Sequence, residues 1–398
     1  MKIYSPKLFI KFDLEKISII VYDTDELDNF KILEKLIFPI IGFDNKKIND
    51  SEKIFEEIKK NILIIENKIN YFFKDLIIIL NNFNISFLNL SGFKKLNGTQ
   101  VTKENITYII NSLKSNVDEF ENNKKILHIF NSKYSLDKKK IDNIPIGLFG
   151  NLYSHELSFN LMNNNDYKNL KNIFDKCNLK IKKILLDSFV KGSLISEKNQ
   201  DIETFFYIQM DKNYSKIFYV ENDSVKFEQN FKFGTEIIIN DIVKITKLKP
   251  EIIKKILENY ITDKKFLDSP YIEKEYFEDQ QYRKIKKELI FNIAEARIKE
   301  LSEILFIKNI NFAGSINCVK VIFLEFINRQ EYNFFKDLYS DQFSNRLKLI
   351  TKFIECPKID EEVAQAVKID QFGWKKEAIP ITVNKKSYIG RILQKIFS

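Results

Sequence analysis

Apolar residues in this chain occur in two patterns: short runs typical of buried strands, and longer segments with apolar positions at helical spacing. The strand-sized runs lie at residues 8–12, 16–23, 35–43, 75–80, 126–136, 181–189, 203–210, 215–222, 224–231 and 309–315. The helical segments lie at 51–72, 102–113, 167–177, 236–248, 250–260 and 280–307. Strands followed by helices thus occur twice along the chain, which predicts a duplicated α/β core with inserted subdomains.

Polar residues indicate where some of these helices begin. Ser51 and Thr102 precede helical segments, and their hydroxyls could accept a bond from a free backbone amide, so both are predicted N-caps. Pro250 stands at the first turn of its segment, where its missing N–H costs nothing. Residues 356–386 mix polar and apolar side chains without a clear period. We predict a linker there, with one strand at 379–383.

Composition narrows the possible functions. The chain has 398 residues, a net charge of +9, three cysteines and two histidines. Its length favours two or more domains, and its basic balance fits an anionic membrane, nucleic acid or an acidic partner. The cysteines are far apart, so a disulfide framework and a zinc site are both disfavoured and a reducing cytoplasm is expected. No nucleic-acid-binding motif is present, and we expect no nucleic acid partner.

The first residues carry charges throughout, so we expect no signal peptide. No apolar run reaches the roughly 18 residues that a spanning helix needs. The last twelve residues, 387–398, have a different pattern: their apolar positions recur at i, i+3, i+4, i+7 and i+8, with basic residues on the other side. This predicts an amphipathic helix that lies on an anionic membrane surface. Its membrane-binding residues are Tyr388, Ile389, Arg391, Ile392, Leu393, Lys395, Ile396 and Phe397. Docking of this helix on the protein's own core is the alternative.

Three segments resemble a known family. In residues 128–160, Pro145, Gly147 and Gly150 fall on an N-P-x-G-M-x-G loop that is followed by a His-bearing strand. Residues 234–257 resemble a G-G-x-x-x-T-x-D-I-A helix and the A-E-x-I-K helix after it. The matching positions there are Gly234, Asp241, Ile242, Glu251, Ile253 and Lys254. Residues 296–315 resemble an R-x-x-E-I helix leading to a G-G-x turn. These three segments, in this order and followed by the terminal helix, resemble the bacterial cell-division family FtsA.

The resemblance implies an actin/hexokinase-like duplicated ATPase fold of the α/β class, with two lobes, inserted subdomains and a C-terminal amphipathic helix. The expected divisions are first-lobe core at 1–80 and 158–195, an inserted self-association subdomain at 81–157, second-lobe core at 196–231 and 290–356, a second insertion at 232–289, a linker at 357–384 and the membrane helix at 385–398. The implied role is a scaffold that tethers FtsZ to the cytoplasmic face of the inner membrane at the division septum.

In an actin-like fold two hairpins with Gly-rich turns hold the phosphates of ATP, and a carboxylate positions Mg²⁺. The first hairpin of the family reads D-I-G-T, whereas this chain has Asp13-Leu14-Glu15-Lys16; the second, D-x-G-G-G-T-T, is replaced by residues 209–215 without glycine. The degenerate nucleotide site implied by the resemblance comprises Asp13, Lys16, Lys212, Ser215, Gly234, Asp241, Glu251, Lys254, Gly314 and Ser315. The implied ligand is ATP with Mg²⁺; we expect that hydrolysis is lost, and binding stays open.

The expected partners are FtsZ, the anionic membrane surface, a second copy of the chain and other division proteins. Arg283, Lys284, Lys286 and Lys287 form a basic group that could attract the acidic tail of FtsZ, or could simply be a solvated helix face. Two other functions stay open. One is an active actin-fold ATPase or sugar-kinase relative, which intact hairpin glycines would have supported. The other is a membrane adaptor of a pilus or secretion system with the same fold.

Overall fold

The computed structural model describes residues 6–24, 30–44, 46–81, 83–259, 269–277, 281–312, 314–327 and 332–378. The chain divides into two compact units. Unit 1 comprises residues 1–39, 61–81 and 181–372, and unit 2 comprises 40–60, 82–180 and 373–398. Each unit is built around β-sheet.

The first lobe of unit 1 is a five-stranded sheet of β1 (Lys7–Phe12), β2 (Lys16–Thr24), β3 (Phe30–Pro39), β6 (Asp75–Leu80) and β11 (Lys180–Leu186). Its spatial order is β11-β6-β1-β2-β3. β1 pairs antiparallel with β2 and parallel with β6, and β2 pairs antiparallel with β3. All residues of β1 from Leu8 to Phe12 are buried, so β1 is enclosed along nearly its whole length.

The second lobe of unit 1 repeats this arrangement. Its strands are β12 (Phe205–Met210), β13 (Ser215–Glu221), β14 (Ser224–Phe231), β15 (Val321–Phe326) and β16 (Ile350–Ile354), in the order β14-β13-β12-β15-β16. In both sheets the first three strands of the lobe form an antiparallel meander. Two strands from later in the chain then extend the sheet on the other side of the first strand, β1 or β12. Two sheets with one strand order confirm the duplicated α/β architecture, which is the actin-like ATPase fold.

Helices connect and cover these sheets. They are α1 (Ser51–Ile69), α2 (Lys103–Phe120), α3 (Asn164–Lys176), α4 (Asp187–Lys198), α5 (Glu236–Thr246), α6 (Pro250–Asn259), α7 (Lys287–Ser302), α8 (Tyr332–Leu347) and α9 (Ile359–Phe372). Two of them matter most for the cleft described below. α4 begins directly after β11 and is buried over its first ten residues. α9 follows β16 and packs on α4.

Unit 2 contains a four-stranded sheet in the order β7-β10-β8-β9. Its strands are β7 (Ile85–Lys95), β8 (Lys124–Leu136), β9 (Lys139–Ile141) and β10 (Leu152–Asn163); β4 (Phe43–Asp44) and β5 (Lys47–Ile48) form a separate small pair. α2 packs on the four-stranded sheet. A Cβ at Gly92 of β7 would lie 2.4 Å from Cγ2 of Ile109, so glycine is needed for this close approach.

The structure corrects several expectations. Thr102 caps α2 as predicted, but at α1 the carboxylate of Asp50 accepts the Lys53 amide at 3.1 Å, so Asp50 takes the role given to Ser51. The long helix expected at 280–307 is wrong, because α7 begins at Lys287 and a π-helical turn follows it. Residues 309–312 form turns instead of a strand. The prediction of a linker at 357–384 is wrong for residues 359–372, which form α9 and bury its apolar side chains. The strand expected at 379–383 lies outside the described residues.

Candidate functional site

A cleft of about 610 Å³ lies in unit 1. The turn of the β1–β2 hairpin, the turn of the β12–β13 hairpin and the start of α9 all contribute to its lining. The lining includes Asp13, Leu14, Glu15 and Lys16 from the first hairpin, Gln209, Asp211 and Tyr214 from the second, and Lys11, Asn81, Lys191 and Glu362 at the base. The cleft is therefore assembled from the same two hairpins that the sequence assigned to a nucleotide.

The base of the cleft is a buried group of charged side chains centred on Lys11. The Lys11 Nζ atom lies 3.1 Å from Oδ1 of Asp187 and 3.5 Å from Oδ1 of Asp13, and it donates a hydrogen bond to Glu362. Lys11 is 4% exposed, and Asp187 and Glu362 are buried as well. Strand β1 places Lys11 here, while helices α4 and α9 bring the two carboxylates to it.

Two further lysines complete this group, which we call the cleft cluster: Lys11, Lys191, Lys216, Asp13, Asp187 and Glu362. Lys191 of α4 lies 3.4 Å from Asp187 and 3.7 Å from Glu362. Lys216 of β13 lies 3.6 Å from Asp187, and its ammonium donates to Oδ1 of Asn81 at 2.9 Å. Because Lys216 belongs to the second sheet and Asp187 follows the first, this ion pair joins the two lobes of unit 1.

Pairing keeps the central groups of the cluster charged. Burial alone would raise the pKa of Asp187, but Lys11, Lys191 and Lys216 hold it below its usual value. Burial would lower the pKa of Lys11, yet the carboxylates of Asp187, Glu362 and Asp13 raise it. Burial raises the pKa of Glu362 against the opposing effect of the lysines. The cluster is thus an internal salt-bridge network whose charges compensate one another.

The second hairpin directs its polar groups to its own chain. The amide of Lys212 donates to the Asp211 carboxylate at 2.7 Å, and the carbonyls of Asp211 and Lys212 accept the amides of Thr235 and Glu236, each at 2.9 Å. A Cβ at Gly234 would lie 2.0 Å from the Asp211 carbonyl oxygen. Gly234 therefore allows the start of α5 to pack against the hairpin turn, which is a structural role.

The ten residues predicted for a nucleotide are only partly brought together. Asp13 and Lys16 line the cleft, while Lys212, Ser215 and Gly234 belong to the second hairpin or the segment packed on it. Asp241 pairs with Arg297 and lines a different cavity of about 450 Å³. Lys254 lies 3.4 Å from Glu236. Glu251, Gly314 and Ser315 do not line the cleft.

These residues do not fit a magnesium–nucleotide. A phosphate would meet the carboxylates of Asp13, Glu15 and Asp211 at the turns, and the Lys212 amide already bonds a carboxylate. The Asp13 carboxylate at the first turn has the Lys11 ammonium beside it and accepts a hydrogen bond from Asn81 at 3.0 Å. Like charges at both turns oppose the binding of phosphates there.

Sequence reasoning missed the residues at the centre of the cluster: Lys11, Asp187, Lys191, Lys216 and Glu362. A signal was present. Lys11 interrupts an otherwise apolar strand, and buried lysines are rare unless they are paired. Asp187 and Lys191 are spaced i, i+4, the separation at which opposite charges meet on a helix. The apolar pattern predicts that residues 187–189 end a strand, whereas they begin α4, so the pattern does not indicate this pair.

Four basic residues are predicted to bind a partner: Arg283, Lys284, Lys286 and Lys287. The first three precede α7 and Lys287 is its first residue, so they do not form the helix face that was expected. Arg283 donates to the Lys247 carbonyl at 3.1 Å, and Lys287 lies 2.6 Å from Glu273. Lys284 is 6.0 Å from the centroid of the Tyr271 ring. Arg283, Lys284 and Lys286 are exposed, so these three basic side chains are accessible on unit 1.

The end of the described chain pairs with the sheet of unit 2. The Asn131 amide donates to the Lys376 carbonyl and the Ala378 amide donates to the Ile129 carbonyl, both at 2.7 Å. The Glu377 carboxylate lies 3.3 Å from Nδ1 of His128. These bonds attach residues 376–378 to the edge of β8 opposite β10. The predicted membrane-binding residues, 388–397, lie outside the described residues.

None of the helices in the described residues is long and apolar enough to cross a membrane.

Comparison with known proteins relates this chain to one family of cell-division proteins. Residues 83–157 match the family model described as the SHS2 domain inserted in FtsA. The cell division protein FtsA of Buchnera aphidicola subsp. Baizongia pistaciae is 32% identical over 152 residues, which are 38% of this chain and 36% of the relative. FtsA of Buchnera aphidicola subsp. Acyrthosiphon pisum is 23% identical over 215 residues, 54% of this chain and 51% of the relative. The matches span about a third to a half of these relatives.

Solved structures were compared as well. A type IV pilus biogenesis complex of PilM and PilN gives a TM-score of 0.48 at 8% identity, covering 92% of this chain and 98% of that chain. MreB5 of Spiroplasma citri bound to ADP gives a TM-score of 0.43 at 11% identity, covering 92% and 97%. Residues 83–157 are therefore similar to the SHS2 domain inserted in FtsA, and further parts of the chain are similar to FtsA proteins of Buchnera aphidicola.

Proposed function

We propose that this protein is a cell-division adaptor that tethers FtsZ filaments to the cytoplasmic face of the membrane at the septum. The observation that carries the proposal is the SHS2 match over residues 83–157, which coincides with most of the four-stranded sheet of unit 2. The FtsA relatives support the same role.

Membrane attachment is assigned to residues 385–398. A basic amphipathic helix buries its apolar face at the headgroup level, and each basic residue near an anionic leaflet adds about 1 kcal/mol. One such helix binds weakly, so several copies acting together would strengthen attachment. The last described residues before this segment, 376–378, pair with β8 of unit 2.

Localisation tests the attachment. A fluorescent fusion of the full chain should concentrate at midcell, whereas a chain ending at Lys386 should be diffuse. Expression and thermal stability of the truncated chain serve as the control for folding. Diffuse signal from both chains, or midcell signal from the truncated chain, would contradict membrane tethering through these residues.

Binding of the acidic FtsZ tail is assigned to the exposed basic group before α7. The double variant Lys284→Glu/Lys286→Glu should weaken binding to an FtsZ tail peptide at least tenfold, because it replaces attraction by repulsion. The matched control is Lys168→Glu/Lys171→Glu, which makes the same charge change on exposed positions of α3 in unit 2. Equal loss of affinity in both variants would point to a general charge effect and against this site.

The adaptor role includes no ATP hydrolysis. The support is the cleft cluster and the acidic side chains at both hairpin turns. Isothermal titration of the full chain with ATP and Mg²⁺ should give no heat of binding at micromolar concentrations. Micromolar, Mg²⁺-dependent binding would refute this part of the proposal and favour an active actin-fold ATPase.

A further inference from the structure

An exposed apolar loop lies at one end of the four-stranded sheet of unit 2. It belongs to the connection between β9 and β10 and contains Ile144, Ile146, Leu148 and Phe149, which we call the apolar loop. The exposed fractions of these residues are 37%, 49%, 51% and 69%. Contiguous apolar surface that remains in water on a folded protein marks a site of contact with another apolar surface.

Backbone hydrogen bonds fix the apolar loop against the segment that precedes α2. The Gly147 amide donates to the Val101 carbonyl, and the Val101 amide donates to the Leu148 carbonyl, both at 2.9 Å. Gly147 has a φ of +85°, which glycine adopts without strain. Gly150 is buried, and a Cβ there would lie 2.5 Å from Cδ1 of Leu136. The backbone is therefore anchored inward while the four apolar side chains face solvent.

Lysines lie around the apolar loop at the same end of the sheet. β7 ends at Lys95, which is opposite Leu152, the first residue of β10. The β8–β9 turn is attached here as well, because the Asp137 carboxylate accepts the amides of Asn151 and Leu152, each at 2.8 Å. The exposed lysines at this end are Lys95, Lys103, Lys138, Lys139 and Lys140, and the exposed acids are Glu104, Asp137 and Asp142. The surroundings of the apolar loop thus carry a net positive charge.

We propose that the apolar loop is a second membrane contact, which enters the headgroup region of an anionic bilayer while the surrounding lysines face the lipid phosphates. Apolar side chains partition into this region, and lysines beside them are attracted by anionic lipid. The charges favour a bilayer over a second copy of the same patch, because a two-fold contact would place lysines opposite lysines.

The inference rests on the proposed membrane attachment through residues 385–398 and adds a contact on unit 2 to it. One terminal helix binds a bilayer weakly, and a second contact on the same molecule then binds at a high effective concentration. The apolar loop therefore strengthens attachment without replacing the helix.

Co-sedimentation of the full chain with vesicles of phosphatidylglycerol and phosphatidylcholine measures this contribution. Ile146→Ser/Leu148→Ser should weaken vesicle binding roughly tenfold, because two half-exposed apolar side chains no longer enter the bilayer. Phe120→Ser is the matched control. Phe120 is 81% exposed at the last residue of α2, and its replacement should leave vesicle affinity unchanged. Thermal unfolding of both variants checks that they fold.

Insertion is measured separately with a tryptophan placed in the apolar loop. The emission of Leu148→Trp should shift to the blue on vesicles and should be quenched by brominated lipids, whereas Phe120→Trp should show neither change. Trp374, the single tryptophan of the natural chain, is present in both variants and contributes equally to their emission.

Quenching decides between a bilayer and other occupants. If Leu148→Trp is not quenched while the wild-type chain binds vesicles, the inference is wrong and attachment through residues 385–398 still stands. If the unquenched loop is accompanied by weaker vesicle binding of Ile146→Ser/Leu148→Ser, the apolar loop contacts a second copy of the chain instead. Absence of vesicle binding by the wild-type chain would overturn both this inference and the proposed membrane attachment.

Discussion

The cleft of unit 1 and the sheet of unit 2 both bury titratable side chains, and they hold them in opposite charge states. In the cleft, Lys11, Lys191 and Asp187 remain ionised because they pair. In unit 2, His155 of β10 is fully buried beside Tyr134, with ring centroids 4.9 Å apart. Burial lowers the pKa of His155 to about 4, so it is uncharged at neutral pH.

The difference shows what each unit can tolerate. A buried charge is costly unless a partner compensates it, and a group without a partner loses its charge instead. Neither ring nitrogen of His155 has a hydrogen-bond partner in the described part of the chain. The cleft therefore depends on the pairing of its charges, whereas the packing around His155 in unit 2 depends on the absence of charge.

The largest expected effect comes from breaking the network. Asp187→Asn leaves three buried lysines short of a carboxylate and should lower the free energy of unfolding by about 3–5 kcal/mol. Urea denaturation followed by circular dichroism measures the loss. The control is Asp118→Asn on α2, whose carboxylate pairs with Lys114 at the surface. A loss below about 1 kcal/mol for Asp187→Asn would mean that the cleft network does not hold the lobes.

The next effect is a pH dependence from unit 2. The pKa of His155 is about 4 in the folded state and about 6.5 when unfolded, so the unfolded chain binds more protons between these values. The free energy of unfolding should therefore be unaffected by His155 above pH 6.5 and should fall by about 3 kcal/mol as the pH drops to 4. Urea midpoints across this range measure the change.

His155→Leu tests the origin of that slope. The variant removes two unpartnered nitrogens, so stability at pH 7 should be unchanged or higher and the slope between pH 6.5 and 4 should flatten. His128→Gln, at the other histidine, should leave this contribution in place. Protonation of Asp187 belongs to a lower range, because its pKa lies below its usual value. Glu362, whose pKa burial raises, contributes a slope of the opposite sign. An unchanged slope in His155→Leu would contradict the assignment.

A smaller effect concerns the backbone beside the cluster. Gly234→Ala should cost about 1–3 kcal/mol, since its Cβ would overlap the Asp211 carbonyl. Gly314→Ala, where a Cβ would meet nothing within 4 Å, should change stability by less than about 0.5 kcal/mol. Thermal unfolding of both variants measures the contrast. Similar values would mean that the second hairpin can move away from α5.

The smallest effect distinguishes buried from exposed charge. Asp118→Asn should lower stability by at most about 0.5 kcal/mol at low salt, and this difference should vanish near 1 M salt. The loss caused by Asp187→Asn should persist at the same salt concentration, because burial excludes the screening ions. Parallel urea titrations at the two ionic strengths test this. A salt-sensitive loss at Asp187 would indicate that water reaches the cleft cluster.

Much of the fold could be predicted from the sequence. β6, β12, β13 and β14 follow apolar runs with clear ends, and Thr102 has the N-cap geometry that its position indicates. The boundaries of α7 and the existence of α9 could not be read from the pattern. The start of α7 lacks a side-chain cap, and α9 buries polar side chains such as Glu362 and Gln365 among its apolar ones, which hides its period.

The location of the cleft could be predicted more easily than the charged residues that meet in it. Asp13 and Asp211 lie on hairpin turns that the sequence places correctly, so the location could be inferred. Two of the partners of Lys11, Asp187 and Glu362, lie 176 residues and more away in sequence, on helices that follow two different sheets. No local pattern connects such residues. Motif positions such as Asp241 and Lys254 resembled the family, but Arg297 and Glu236 engage them in pairs outside the cleft.

The most direct test of the account is recruitment of FtsZ to anionic vesicles by the full chain, with and without ATP. Polymerised FtsZ should co-sediment with the vesicles equally in both conditions. With a chain ending at Lys386, FtsZ should no longer co-sediment with the vesicles. That result would place membrane attachment and FtsZ binding in a protein whose cleft needs no nucleotide. Recruitment that requires ATP, or that persists without residues 387–398, would contradict the account.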